Sequence, residues 1–295
     1  VSDGRLVFLT LLALVAFAAN SILCRLALGS ELIDPISYTI VRLVSGALVL
    51  AALSRTWRGS WRAAFFLFLY AAPFSLAYVA LTAGTGALIS FSAVQMTMVG
   101  ASIVSGRHPR PLEWLGLGLA MTGLYLLVRP GLAAPSPIGA LMMAMAGASW
   151  GFYSLIGRRS TDPLMETAGN FARASLLAIL LGAVVLAAQH QGLLRTLPVG
   201  VATAVMVHWS PAGLLLATIS GAVTSALGYV IWYAALRGLA ATRAALVQAS
   251  VPVLVAIGGI LLLGEPATLR LAVAGGMILA GIVLTLPGKV TRKLD

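Results

Sequence analysis

The sequence predicts an all-α integral membrane protein whose ten transmembrane helices form two inverted five-helix repeats, with both termini in the cytoplasm. Composition is the first of three observations behind this. Of 295 residues, 60% are hydrophobic and 9% charged, and the mean hydropathy is +1.01; a soluble domain has about a quarter of its residues charged. Lipid must therefore be the solvent for most of the chain. The second observation is an internal repeat. At an offset of 158, Gly100, Gly106, Gly118 and Gly123 fall on Gly258, Gly264, Gly276 and Gly281, and Ser92 falls on Ser250. The third is the sorting of positive charge. With the N-terminus inside, thirteen of the 19 Lys and Arg lie on the cytoplasmic side. Only Arg25, Arg129, Arg195 and Arg270 fall toward the outside, and Arg42 and Arg173 lie within helices. Such an excess marks the cytoplasmic face.

A crossing needs about 20 mostly apolar residues. The first half, residues 1–132, supplies spans at 6–28, 35–54, 63–83, 87–106 and 111–129. The second half, 133–295, supplies 137–157, 163–188, 211–236, 243–263 and 267–288. Similar apolar runs follow the first span without pause, so it belongs to the bundle and is not a cleaved signal. Spans two, five, seven and eight open on Pro35, Pro111, Pro163 and Pro211, in a first turn where a missing N–H does no harm. Spans three and nine contain Pro73 and Pro252. Kinks there either free carbonyls to line a cavity and act as hinges, or distort the helix locally without gating. Spans five and ten carry Gly116, Gly118 and Gly123, and Gly275, Gly276 and Gly281, small faces that permit close backbone approach. Only the 189–210 connection, with His190, Arg195 and His208, is substantial, so no separate soluble domain is expected.

The repeat reaches the starts of both halves with small shifts of register. Phe17, Ser21 and Arg25 correspond to Trp150, Ser154 and Arg158, Arg42 to Arg173, and Asp34-Pro35 to Asp162-Pro163. Phe74 and Tyr78 correspond to Tyr229 and Tyr233. Five spans per half, an odd number, force the second copy to start on the opposite side. Inverted copies of this kind let one central site face either side in turn.

The net charge of +11 is carried by single residues and pairs between apolar runs, a pattern that sets membrane orientation and does not indicate nucleic acid. The one cysteine, Cys24, lies in an apolar run, which leaves no disulfide framework and no thiolate metal site. The eight acidic residues, Asp3, Glu31, Asp34, Glu113, Asp162, Glu166, Glu265 and Asp295, all fall at or near a membrane face, and His108, His190 and His208 are peripheral. Proton-coupled carriers use such groups deep in the membrane, so gradient-driven facilitation is expected. The same distribution argues against an enzyme, a metal site or a cofactor.

The candidate substrate-binding residues are the aromatic and amide side chains within the bundle. Tyr229, Trp232 and Tyr233 share one helix face, and Phe74 and Tyr78 form its equivalent. Asn20, Gln95, Trp150, Tyr153 and Gln248 add polar or aromatic groups at membrane depth, where an amide facing lipid would leave hydrogen-bond groups unpaired. For any one aromatic, packing or an interfacial belt is an equally good account. Arg42 and Arg173 have two readings: pairing with helix-end carbonyls or a loop carboxylate, or contact with a substrate carboxylate or gate. A passage lined by rings and neutral donors suits neutral, partly apolar solutes such as aromatic or other apolar amino acids. Lipophilic cationic drugs are the alternative, held through cation–π contact. A polytopic enzyme or a lipid flippase is a third class, without catalytic residues or a head-group site to support it.

Residues 228–281 carry Tyr229, Trp232-Tyr233, Ala244-Ala245, Pro252, Gly264-Glu265 and the Gly276/Gly281 pair, and Trp150-Gly151 opens the second half. These features resemble the drug/metabolite transporter superfamily, and most closely its EamA-type ten-helix permeases of the kind that export aromatic amino acids (the YddG type). Three positions depart from the family pattern: Phe17-Ala18 replaces tryptophan-glycine, Val251 stands where many relatives carry Glu, and Arg107 replaces the acidic residue of the other copy. The resemblance implies a multi-pass inner-membrane secondary transporter, a facilitator or exporter working by alternating access. Its expected partners are a small-molecule substrate and the lipid bilayer, with no nucleic acid, and the expected state is a monomer or weak dimer.

Overall fold

The structure, a computed structural model, describes residues 3–54, 56–106, 110–129, 134–157, 160–193, 206–236, 238–239 and 247–285. These fold into helices α1 (Asp3–Gly29), α2 (Pro35–Leu53), α3 (Trp61–Ala80), α4 (Ala83–Val104), α5 (Pro111–Val128), α6 (Pro137–Gly157) and α7 (Pro163–His190). The next rod, α8, is α-helical over Pro211–Ile219, π-helical over Ser220–Leu227 and α-helical again over Gly228–Leu236. Then come α9 (Val251–Leu263) and α10 (Leu269–Thr285). Among the described residues there is no strand, only the bridge between Ile33 and Trp209. Eight of the helices are long and apolar enough to cross a bilayer, and α9 and α10 are shorter apolar helices. Their outward faces are strongly apolar, with Leu48, Leu180, Leu261 and Leu262 exposed. The chain is a multi-pass membrane protein.

Helix starts follow local chemistry. Asp34 caps α2 by accepting from the N–H groups of Ile36 at 3.0 Å and Ser37 at 2.8 Å, with Pro35 next. Asp162 caps α7 through Met165 N at 3.1 Å, with Pro163 next. The two Asp-Pro pairs thus do the same work, each cap contributing about 1 kcal/mol. Pro211 follows the capping Ser210 in the same way. Pro73 lies inside α3 as expected. Pro252 does not interrupt the described part of its helix: α9 begins at Val251, which puts the proline in the first turn.

The repeated glycines divide by role. Gly106 and Gly264 both adopt positive φ, +83° and +65°, just past the ends of α4 and α9, a backbone that an L side chain resists. Gly123 and Gly281 form the seam between α5 and α10. A Cβ on Gly123 would stand 2.8 Å from the Ala274 carbonyl, and one on Gly281 would meet the Gly116 carbonyl. Gly118 and Gly276 do not join this seam; a Cβ on either would meet nothing within 4 Å. Gly275 faces Leu88 of α4 instead. Away from the seam, α6 packs on α3 and α4, while α1 packs on α8 and α9.

Candidate functional site

A cavity lies at the centre of the bundle, and α1, α2, α3, α4, α6, α8 and α9 all supply its wall. Helices α5, α7 and α10 supply none of its described lining. Helix α2 departs from the expected lining of rings and neutral donors. It brings Arg42, so the passage is not uncharged: a guanidinium 2% exposed stands in its wall.

Arg42 is held in place by neutral groups. Its Nε donates to Ser225 Oγ at 3.3 Å and one terminal nitrogen donates to Tyr70 OH at 3.2 Å. The guanidinium carbon stands 5.2 Å from the centre of the Tyr70 ring and 5.3 Å from that of Phe74, close enough for cation–π attraction. The other terminal nitrogen is buried without a hydrogen-bond partner. Among the described residues no carboxylate forms an ion pair with Arg42. A buried cation at membrane depth with an open donor is costly to keep unless something binds there. Arg173, its repeat equivalent, has a structural role: it donates to the carbonyls of Arg58 and Gly169 and lies over Trp61.

The π-helical stretch of α8 builds the polar side of the cavity. Ser220 donates to Asn20 Oδ1 at 2.8 Å, and the hydroxyls of Thr224 and Ser225 approach the same oxygen at 3.4 and 3.5 Å. Widened helical turns are frequent at functional sites, because they re-aim side chains. Gly221 lets α2 approach this stretch, since a Cβ there would strike the Arg42 carbonyl.

Of the ten predicted residues, Asn20, Phe74, Trp150, Tyr229 and Gln248 line the cavity. Trp150 stacks on Tyr229 at 5.3 Å and leans on Tyr70 at 4.9 Å. Phe17, the repeat equivalent of Trp150, completes the ring wall with its edge on Tyr229. Tyr78 does not reach the cavity. It is fully buried, donates to the Ala83 carbonyl and packs its ring edge-on against Phe74. Trp232 faces Phe17 from outside the cavity, so the expected face of α8 is split by Phe17. Gln95 lies just past Val94 and is not part of the wall. Tyr153 lines a different pocket, described below. The side chain of Tyr233 lies outside the described residues. Sequence reasoning missed Tyr70, one turn before Phe74 on the same helix face, and the hydroxyls of Ser90, Thr224 and Ser225.

The free space among these rings is small, about 50 Å³, room for roughly three or four waters. One end of the bundle is tied shut around the end of α1. Arg25 Nε pairs with Glu265 at 3.1 Å, and its NH1 donates to the carbonyls of Tyr78 at 2.9 Å and Val79 at 3.1 Å. Glu265 in turn accepts from Ala83 N, the first N–H of α4, at 2.8 Å. Four helix ends, those of α1, α3, α4 and α9, meet in this cluster.

Comparison with known proteins bears on what such a cavity is for. The chain is 48% identical to an uncharacterized Pseudomonas aeruginosa protein, PA1977, over 98% of its own length and 97% of that protein's. It is 26% identical to the threonine/homoserine exporter RhtA of Escherichia coli, over 87% of this chain and 83% of that one. A 64-residue stretch, 22% of this chain and 21% of the relative, is 34% identical to the uncharacterized inner membrane transporter YedA of Escherichia coli. A solved crystal structure superposes with a TM-score of 0.63 at 19% identity, over 94% of this chain and 97% of that one, which shows the shared fold. Residues 137–286 match the EamA-like transporter family. With a bundle of apolar helices around a central cavity, and with this match and these relatives, the chain belongs to the EamA-like transporter family.

Proposed function

We propose that this transporter carries small zwitterionic metabolites, aromatic or other apolar amino acids above all, by alternating access through the central cavity. The observation that carries the reading is the open donor of Arg42 set among rings. A substrate carboxylate completes the hydrogen bonding of the guanidinium, its ammonium finds acceptors in Asn20 and the hydroxyls of α8, and an apolar side chain lies against Trp150, Tyr229 and Phe17. The same guanidinium disfavours lipophilic cations, since a like charge in a low-dielectric wall repels them. The likeness to a threonine/homoserine exporter supports amino acids as the class and export as the direction.

The architecture we propose is ten spans in two inverted halves, 1–132 and 133–295, in the inner membrane with both termini cytoplasmic. Reciprocal contacts support the inversion. Under the 158-residue offset the Gly123–Ala274 contact becomes the Gly281–Gly116 contact, as a two-fold axis through the α5–α10 seam requires. The exchange of α1 and α6 between the halves supports it likewise. No carboxylate lines the cavity among the described residues, in keeping with a facilitator, and the protein acts as a monomer or weak dimer.

Radiolabelled counterflow in proteoliposomes tests this. Phenylalanine or tryptophan counterflow should saturate, should fail in Trp150→Ala, and should resist competition by quaternary cations. Better competition by those cations than by amino acids overturns the substrate class. Accumulation driven by an imposed pH gradient alone overturns the facilitator.

A further inference from the structure

The end of the bundle opposite the Arg25–Glu265 cluster holds a second and roomier pocket, of about 250 Å³. Its wall comes from the α2–α3 connection and the start of α3, the last turn of α6, Ser160 and the first turns of α7. The floor is firmly built. Arg58 N donates to the Met165 carbonyl at 3.3 Å, the Arg58 carbonyl accepts from Arg173, and Ser60 N donates to Asn170 Oδ1 at 3.0 Å. Gly59 makes the approach possible: its φ is +117°, and a Cβ there would meet the Asn170 side chain and the Glu166 carbonyl. Asn170 is buried although polar, and Ser160 Oγ is buried with no hydrogen-bond partner. Two opposite charges, Arg58 and Glu166, line the same space without forming an ion pair with each other. A pocket with a group of each sign and an unpartnered hydroxyl in its wall matches a solute that carries both charges.

We propose that this pocket is a second binding site, for the head group of a zwitterionic amino acid, with Arg58 facing the carboxylate and Glu166 the ammonium. Among the described residues Tyr153 is its only aromatic lining residue, so the pocket reads the head group and is indifferent to the side chain, unlike the ring-walled centre. The two sites adjoin through Tyr153, whose ring lies 5.5 Å from that of Trp150. A solute released here therefore stands next to the central cavity; that place on a route rests on the function proposed above, whereas the binding does not.

The test is cysteine protection in the full-length protein in nanodiscs. Ile156→Cys places a half-buried thiol in the pocket wall without touching its polar groups, and Cys24, the chain's one native cysteine, is fully buried. Glycine and phenylalanine should slow labelling by a hydrophilic maleimide at similar concentrations. Phenylacetate and phenethylamine, each with one of the two charges, should require about tenfold more. Glu166→Gln and Arg58→Gln should each raise the protecting concentration of glycine by a similar factor, whereas Trp150→Ala should leave it unchanged. Equal protection by the anion alone overturns the zwitterion site, as does no protection by either amino acid. Protection lost in Trp150→Ala but untouched by Glu166→Gln also overturns it, because the thiol then reports a movement of the central cavity. Amino acid counterflow that fails while protection persists sinks the central reading and leaves this one standing.

Discussion

Replacing Glu265 by Gln should unlatch one end of the bundle. The carboxylate takes Arg25 Nε at 3.1 Å and Ala83 N at 2.8 Å, and the isosteric amide keeps the shape while removing the charge. Breaking a fully buried pair costs about 3–5 kcal/mol, and an exposed pair contributes about 0–1 kcal/mol. Here Arg25 is 23% exposed and Glu265 10%, so roughly 2 kcal/mol is a reasonable loss, between those limits. If the pair forms only while that end is closed, the loss shifts the balance toward the open arrangement by about thirtyfold. A membrane-impermeant thiol reagent applied from the Arg25 side reads this directly. Ser90→Cys, in the cavity wall, should label about thirtyfold faster in the Glu265→Gln background when opening limits the rate. The double variant Arg25→Gln/Glu265→Gln should label no faster than the more affected single variant, since both remove one interaction. An unchanged rate from the Arg25 side refutes the latch. So does an equal acceleration from the opposite side, which signals general loosening.

Two further outcomes follow from the same geometry. Arg42→Lys keeps a charge but loses the planar fork that bridges Ser225, Tyr70 and the open position, so counterflow of amino acids should fall about tenfold or more while chromatographic behaviour stays that of the folded protein. Gly123→Ala intrudes on the Ala274 carbonyl and should lower the thermal midpoint by about 2–6 °C, whereas Gly118→Ala, with nothing within 4 Å, should leave it unchanged or raise it.

Much of the fold was legible because lipid imposes a strong rule: every crossing must be an apolar helix of sufficient length. The helix-opening prolines and the paired Asp-Pro caps marked their starts to the residue. The repeat marked glycines in phase but not which of them matter, since Gly118 and Gly276 meet nothing. Gly106 and Gly264 are end caps and Gly123 and Gly281 are seam contacts, and periodicity cannot separate these roles. The site was half legible. Side chains at membrane depth had to face inward, yet a helix face is wider than a cavity, so Tyr78 and Trp232 pack beside it while Tyr70 and Phe17 enter it. The π-helical turn of α8 has no sequence signal, and it decides which hydroxyls meet Asn20. Arg42 was visible as a charge in the wrong solvent. Whether it met a carbonyl or a cavity depended on α2 lying against Gly221, a contact between residues far apart in the chain.

The latch also bears on how the halves differ. Two inverted copies that were identical would spend equal time open to either side, so any preference must come from residues that differ between them. The repeat register carries Arg25 to Arg158 and Glu265 to Arg107; both of these arginines lie outside the described residues. In the sequence, the positions equivalent to that cation–anion pair therefore both hold arginine, so the second copy of the pair is missing. Arg107→Glu supplies the missing partner and should oppose the bias, by up to the roughly 2 kcal/mol assigned to the existing pair. In that variant labelling of Ser90→Cys should slow from the far side and quicken from the Arg25 side. Combined with Glu265→Gln, it should quicken labelling from the Arg25 side further. If Arg107→Glu leaves both rates untouched, the preference between the two sides does not reside in these paired ends, and the correspondence of Glu265 with Arg107 has no mechanical meaning.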